Sequence, residues 1–109
     1  MAKVNAIPEG MHSLTPHIVC DGVAAAIEFY KKAFAAVEEV RLSAPNGQIM
    51  HARIRICGSA LMMAEEAPQF NALGPKTLKG SPVTIHLYVE DVDAFVKRAA
   101  DAGATVKMQ

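Results

Sequence analysis

Three histidines, His17, His51 and His86, each fall in a run where apolar and polar residues alternate. Neutral imidazole on a strand is a ligand for zinc, iron, nickel or copper, so the trio defines a candidate metal set. No two of them share an HxH or HxxxH spacing, and a half-buried strand histidine bonded to a neighbour fits the same positions. Arg53 and Arg55 alternate with His51, so all three point to one side of their strand. Paired guanidiniums can grip a carboxylate or phosphate through parallel bonds, or stand solvated on a sheet surface. Tyr88 adds a phenol or an aromatic wall, and Met62 a pliable thioether that suits either a ligand or a core gap. Arg53, Arg55, Tyr88 and Met62 are therefore the candidate ligand contacts. Glu65 and Glu66 close another alternating run, as a base or as a loop rim. Neither a serine nucleophile elbow nor a glycine-rich phosphate loop is present, which removes serine hydrolases and nucleotide-binding enzymes from consideration.

The chain has 109 residues, 51% hydrophobic and 20% charged, a composition that folds into one modest core. Eleven basic residues balance eleven acidic ones, without the Lys/Arg density that phosphate backbones require, so nucleic acid is not an expected partner. No stretch reaches the roughly 18 apolar residues of a membrane span, and the first fifteen residues lack a secretory apolar segment. A cytoplasmic protein without membrane contact is expected. Cys20 and Cys57 sit in apolar strand patterns and are read as buried thiols.

Positioning those side chains requires the following elements. A strand over 14–20 places Ile18 and Cys20 on one face and His17 and Val19 on the other. Asp21 then caps a helix ending near residue 35, whose stripe is Val23, Ile27, Tyr30 and Phe34. A strand over 37–42 leads through the turn Ala44, Pro45, Asn46, Gly47 into the clearest strand, 49–57. There Met50, Ala52, Ile54 and Ile56 oppose His51, Arg53, Arg55 and Cys57. Gly58-Ser59 reverses the chain into a strand over 60–64. The connection 65–82 has no period, with Phe70 and Leu73 as its expected anchors. A strand over 83–89 follows, then a helix capped by Asp91 with Val92, Phe95, Val96, Ala99 and Ala102 inward, a C-cap at Gly103, and a strand beginning over 104–108.

Shifting residues 82–103 back by 69 lays them without a gap on 16–37. His86 falls on His17, Glu90 on Asp21, Val92 on Val23 and Val96 on Ile27. The chain is thus expected to be a pseudo-symmetric repeat with its site held between the copies. The boundaries are a tail over 1–11, a first module over 12–64, a connection over 65–82 and an incomplete second module over 83–109. The second copy lacks its hairpin, so a further stretch of roughly 30 to 50 residues, or a partner chain, is expected to complete the sheet.

The run from Asp21 through Phe34, with Asn46-Gly47-Gln48-Ile49-Met50-His51-Ala52 and the segment from Leu87 to Phe95, resembles the vicinal oxygen chelate superfamily. This is the glyoxalase, bleomycin-resistance and extradiol dioxygenase group. Within it, the resemblance is to the small phosphonate-cluster-protein-like (PhnB-like) branch. It implies an α+β fold of paired β-α-β-β-β modules, a curled mixed sheet with helices outside, and a homodimer with cup-shaped cavities. It also implies metal ligands on the first and third strands of each module. The family's first-strand histidine would lie near Leu14 or Thr15, and its second-module counterpart near Thr84. Here the histidines stand at His17 and His86. The third-strand ligand falls near His51 or Arg53, and the fourth lies beyond residue 109.

Two functions follow as expectations, beside a structural or interaction module without a small-molecule site should side chains fill the cup. One is a metal-free protein that binds a small oxygenated metabolite or antibiotic-like ligand. The other is a lyase, isomerase or dioxygenase using one divalent ion (Zn, Fe, Ni or Mn) on a substrate with vicinal oxygens.

Overall fold

The computed structural model describes residues 5–107. Residues 1–4 of the expected tail and Met108 of the last expected strand lie outside the described residues. The elements in order are β1 (His17–Cys20), α1 (Val23–Phe34), β2 (Val37–Ser43), β3 (Ile49–Ile56) and β4 (Ser59–Glu65). A 3-10 turn at Pro68–Phe70, then α2 (Pro75–Leu78) and α3 (Val92–Asp101), complete them. The sheet order is β1-β4-β3-β2, with β1 parallel to β4 and the other pairs antiparallel. This is a β-α-β-β-β module, the α+β architecture expected from the sequence.

The core lies between α1 and one face of this sheet. Alternation along β3 and β4 sends Ala52, Ile54, Leu61 and Met63 toward the helix, where they meet Val23 and Ile27 at the spacing of one helical face. Val23, Ile27, Ile54 and Met63 are the largest fully buried side chains. Met50 does not join them and is 64% exposed. The β2–β3 register slips between Leu42 and Ser43, so Ile49 rather than Met50 takes the inward position. A bulge of this kind moves one residue out of strict alternation.

Both hairpin turns use positive backbone angles. Gly47 has φ 89°, and the Asn46 side-chain oxygen accepts from the Gln48 N–H at 3.0 Å. Between β3 and β4 the central residues are Cys57 at φ 49° and Gly58 at φ 88°, the mirror-image turn that matches strand twist. This corrects the expected Gly58-Ser59 reversal by one residue. It also carries the Cys57 thiol to an exposed hairpin tip, whereas Cys20 is half-buried.

The helical half of the repeat is present. The 69-residue shift places the first residue of α3 on the first residue of α1. Asp91 caps α3 by accepting from the Ala94 N–H at 3.0 Å. At the other end Gly103 N–H donates to the Ala100 carbonyl and Ala104 N–H to the Ala99 carbonyl, each at 3.0 Å, which is a Schellman ending. Phe95 stacks on Phe34 with ring centroids 5.4 Å apart, and the Arg98 Nε donates to the Lys32 carbonyl at 2.8 Å, at the negative end of α1. Ala99 is buried as expected, but Val92 and Val96 are exposed.

The strand half is different. Residues 83–89 and 104–107 form no strand among the described residues. In the first module β1 is held by β4, and residues 83–107 contain no equivalent of β4 to satisfy such a ladder. The first strand also starts at His17 rather than residue 14, just after Pro16, which has no N–H to donate but whose carbonyl accepts from Met62 N–H at 3.0 Å. In the connection, Ala67 bridges Ala72, Leu73 is half-buried, and Phe70 is 80% exposed rather than an anchor.

Truncating Ile54 to Ala opens a cavity at the centre of the α1–sheet contact and should cost about 2–5 kcal/mol of unfolding free energy. The same truncation at exposed Val96 should cost no more than about 0.5 kcal/mol. Denaturant titration of both variants checks the contrast.

Candidate functional site

The sheet face turned away from α1 holds most of the candidate residues. Parallel pairing sets His17 opposite Met62, and antiparallel pairing sets Arg53 opposite Met62 and Val40 opposite Arg53. Directly opposed residues share a face, so His17, Met62, Arg53 and Val40 form one row across all four strands. The two-residue period of β3 puts His51 and Arg55 on the same side. The imidazoles of His17 and His51 lie 6.0 Å apart between ring centroids and are inclined by 16°.

A carboxylate already engages the arginines. Glu39, at a register shift in β2, binds Arg53 Nε through Oε1 at 3.1 Å and Arg55 Nε through Oε2 at 2.9 Å. Arg55 Nη2 adds a third bond to Oε1 at 3.1 Å. The Arg55 hydrogen bond, then the charges of Arg55 and Arg53, hold the Glu39 carboxyl below its ordinary range. Arg55 is further committed to two carbonyls, Gly10 at 3.2 Å and Gly58 at 3.0 Å, and so ties the N-terminal segment to the β3–β4 turn. Arg53 has a softer second contact, Nη1 to the Met11 sulfur at 3.8 Å.

His86 and Tyr88 are not on this face. They belong to the unpaired segment 83–89, where their rings lie 4.7 Å apart, and Tyr88 is 91% exposed. Among the described residues no group of three His, Cys, Asp or Glu side chains is placed to hold a metal ion. A zinc centre takes at least three protein ligands. The pair His17 and His51 provides two, so the described residues do not by themselves fit a resident divalent ion.

Two glutamates that sequence reasoning left between base and rim have defined positions. Glu65, the last residue of β4, accepts from the backbone N–H groups of Gly22 and, at 2.9 Å, of Val23. It therefore caps α1 from another strand, where Asp21 was expected to do so; Gly22, at φ 93°, is the N-cap residue and makes no side-chain cap bond. Glu66 accepts from Gly74 N–H at 2.6 Å, at the start of α2. The Thr77 hydroxyl and then the Gly74 N–H hold its carboxyl below the ordinary value. A side chain at Gly74 has no room, because a Cβ there would stand 2.9 Å from the Val19 carbonyl oxygen. These partners are separated by 8 to 43 residues, and no local motif announces them.

On the α1 side, at the edge of β1, lies a mainly apolar cavity of about 610 Å³ lined by residues that include Cys20, Tyr30, Phe34, Leu61, Ile85 and Leu87. Burial and then Glu65 push the Cys20 thiol up, and burial pushes the Tyr30 phenol up, so both are neutral at pH 7. The thiol in this setting is a packing group rather than a nucleophile.

No family model matches the chain. Among solved structures it is similar to a gene product of Arabidopsis thaliana, with TM-score 0.70 and 24% identity over 91% of this chain and 80% of the other. It is also similar to TioX from a Micromonospora species, with TM-score 0.57 and 21% identity over 85% of this chain and 71% of the other. The chain has the vicinal oxygen chelate fold. By sequence it is 50% identical over 97 residues to uncharacterized proteins of Mycobacterium bovis and Mycobacterium tuberculosis. Those residues are 86% of this chain but only 64% and 57% of the two relatives, so the chain spans about three fifths of their length. In this fold the face opposite the helix is where the row of His17, Met62 and Arg53 stands. No described helix is long and apolar enough to cross a membrane.

Glu65→Ala removes both acceptors at the start of α1 and should destabilise the protein by about 1–2 kcal/mol, with Glu65→Gln losing less, as read by denaturant unfolding. The lowered Glu66 carboxyl predicts a pH signature. Its contribution is complete above the ordinary carboxylate value and disappears as pH falls through the lowered one. The stability difference between wild type and Glu66→Gln should therefore be largest near pH 7 and shrink toward about pH 3. Unfolding midpoints across that range test the sign.

Proposed function

We propose that this chain is a glyoxalase/bleomycin-resistance-like binding protein of the PhnB-like branch, whose charged sheet face holds a small oxygenated anion, either a metabolite or an antibiotic-like compound. The observation that carries this reading is the row of His17, Met62 and Arg53 across three strands, with His51 and Arg55 on the same side. Arg53 supplies a planar fork for a carboxylate or phosphate, His51 and His17 donate to a neighbouring oxygen, and Met62 contacts the ligand's apolar part. A face of this kind becomes a cup only when a second surface covers it. A homodimer in the cytosol is the proposed setting.

A second reading is favoured by one observation, the approach of His17 and His51 to 6.0 Å. Two imidazoles at that separation are half of a metal site, and ligands from outside the described residues would complete it. In that case the ion would polarise a carbonyl or hydroxyl oxygen of the substrate.

Binding of a panel of small phosphonates and dicarboxylates, measured by calorimetry in chelated buffer, separates the readings. The binding reading expects saturable binding without metal, weakened about tenfold or more by Arg53→Met, equivalent to about 1.4 kcal/mol. The enzyme reading expects about one zinc, iron, nickel or manganese ion per site by elemental analysis, lost in His17→Ala and His51→Ala. Absence of anion binding in correctly folded protein would sink the first reading.

A further inference from the structure

We propose that Glu39 is a built-in competitor for the anionic group of the ligand, holding Arg53 until a more highly charged anion displaces it. This deepens the proposed function and rests on it. Val37 pairs with Arg55 and Val40 with Arg53, so β2 spends three residues where β3 spends two, and the register shift between Glu38 and Val40 makes Glu39 the extra residue. An extra residue of this kind redirects its side chain away from plain alternation. Glu38, its neighbour, pairs with Lys31 and Arg41, while the Glu39 carboxylate reaches the arginine face. A carboxylate is one of the two groups for which a guanidinium fork is shaped, so Glu39 occupies the position a ligand anion would take.

The occupancy is reversible on physical grounds. The side chains of Glu39, Arg53 and Arg55 are each about a quarter exposed, at 27%, 29% and 25%. Water-accessible ion pairs are held weakly, and exchanging one anion for another leaves the arginines paired throughout. The two arginines are not equivalent. Arg55 is anchored by Gly10 and Gly58 as well as by Glu39, whereas Arg53 has Glu39 and a sulfur contact. Arg53 is therefore the fork that changes partner, beside His51 and Met62, while Glu39 remains on Arg55. A monocarboxylate gains little over Glu39 itself. A phosphate or phosphonate, with a second negative charge and at least three oxygens, gains more, and that difference makes Glu39 a filter for dianions.

The test uses inorganic phosphate, methylphosphonate, acetate and neutral acetamide as probes, with affinities read by NMR shift titration at constant ionic strength. For wild type the expected order is phosphate and methylphosphonate above acetate, with acetamide not binding. Glu39→Gln should bind phosphate at least fivefold more tightly and acetate more tightly still relative to wild type, which narrows the discrimination. The gain should vanish in Glu39→Gln/Arg53→Met. Equal affinities in wild type and Glu39→Gln would overturn the competitor role while leaving the anion-binding face intact. No binding in either, with an unchanged circular dichroism spectrum, would overturn both. Should Glu39→Gln fail to fold, Glu39→Asp shortens the reach to Arg53, and it must move the affinities in the same direction or the proposal fails.

Discussion

The end of β4 is where the module is fastened. Glu65 closes β4 and caps the start of α1 by accepting from Gly22 and Val23, while the same strand runs parallel to β1 immediately before that helix. One residue thus binds the parallel pair β1–β4 to the helix that covers it. Without this junction β1 is a four-residue strand with a single neighbour, too short to hold its register by its own ladder. With it, His17 is held opposite Met62, and the row that reaches Arg53 is continuous.

The sheet divides its two faces by chemistry. Toward α1 it is apolar and closely packed, with Ile54 and Met63 buried against Val23 and Ile27. Away from α1 it carries imidazoles, guanidiniums and a carboxylate, and its two arginines touch residues 10 and 11. The first face cannot lose a methyl group without a cavity, whereas the ion pairs on the second are water-accessible and weakly held.

Much of this was legible in residue periodicity. The two-residue period of β3 separated Ala52, Ile54 and Ile56 from His51, Arg53 and Arg55, and the structure keeps that division. Helix α1 follows its apolar stripe, whereas α3 buries Ala99 of its stripe and leaves Val92 and Val96 exposed; Asp91 and Gly103 end α3 as their types dictate. What periodicity cannot register is a partner far along the chain. Glu65 reaches Gly22 across 43 residues, and Glu39 reaches Arg55 across 16, with nothing local to mark either bond. Bulges escape for a related reason, since Met50 alternates correctly in sequence but is the extra residue of β3 where its register with β2 slips. The strand expected over 83–89 has the right pattern, but a pattern makes a strand only where a ladder exists to receive it. His86 and Tyr88 therefore stand apart from His17 and His51.

The parallel pairing of β1 with β4 also bears on the order in which the molecule assembles. β2, β3 and β4 are joined by short turns and form a meander from contacts close in sequence. His17 and Met62, in contrast, are brought together only by closing a loop that includes the whole of α1 and the meander. Loop closure of that length lowers folding rate and places β1 among the last elements to dock. The same strand is then the first to detach in partial opening, when the meander still exchanges its amides slowly. His17 would leave the charged face before Arg53 and His51 lose their places, so ligand affinity would fade at a lower denaturant concentration than secondary structure.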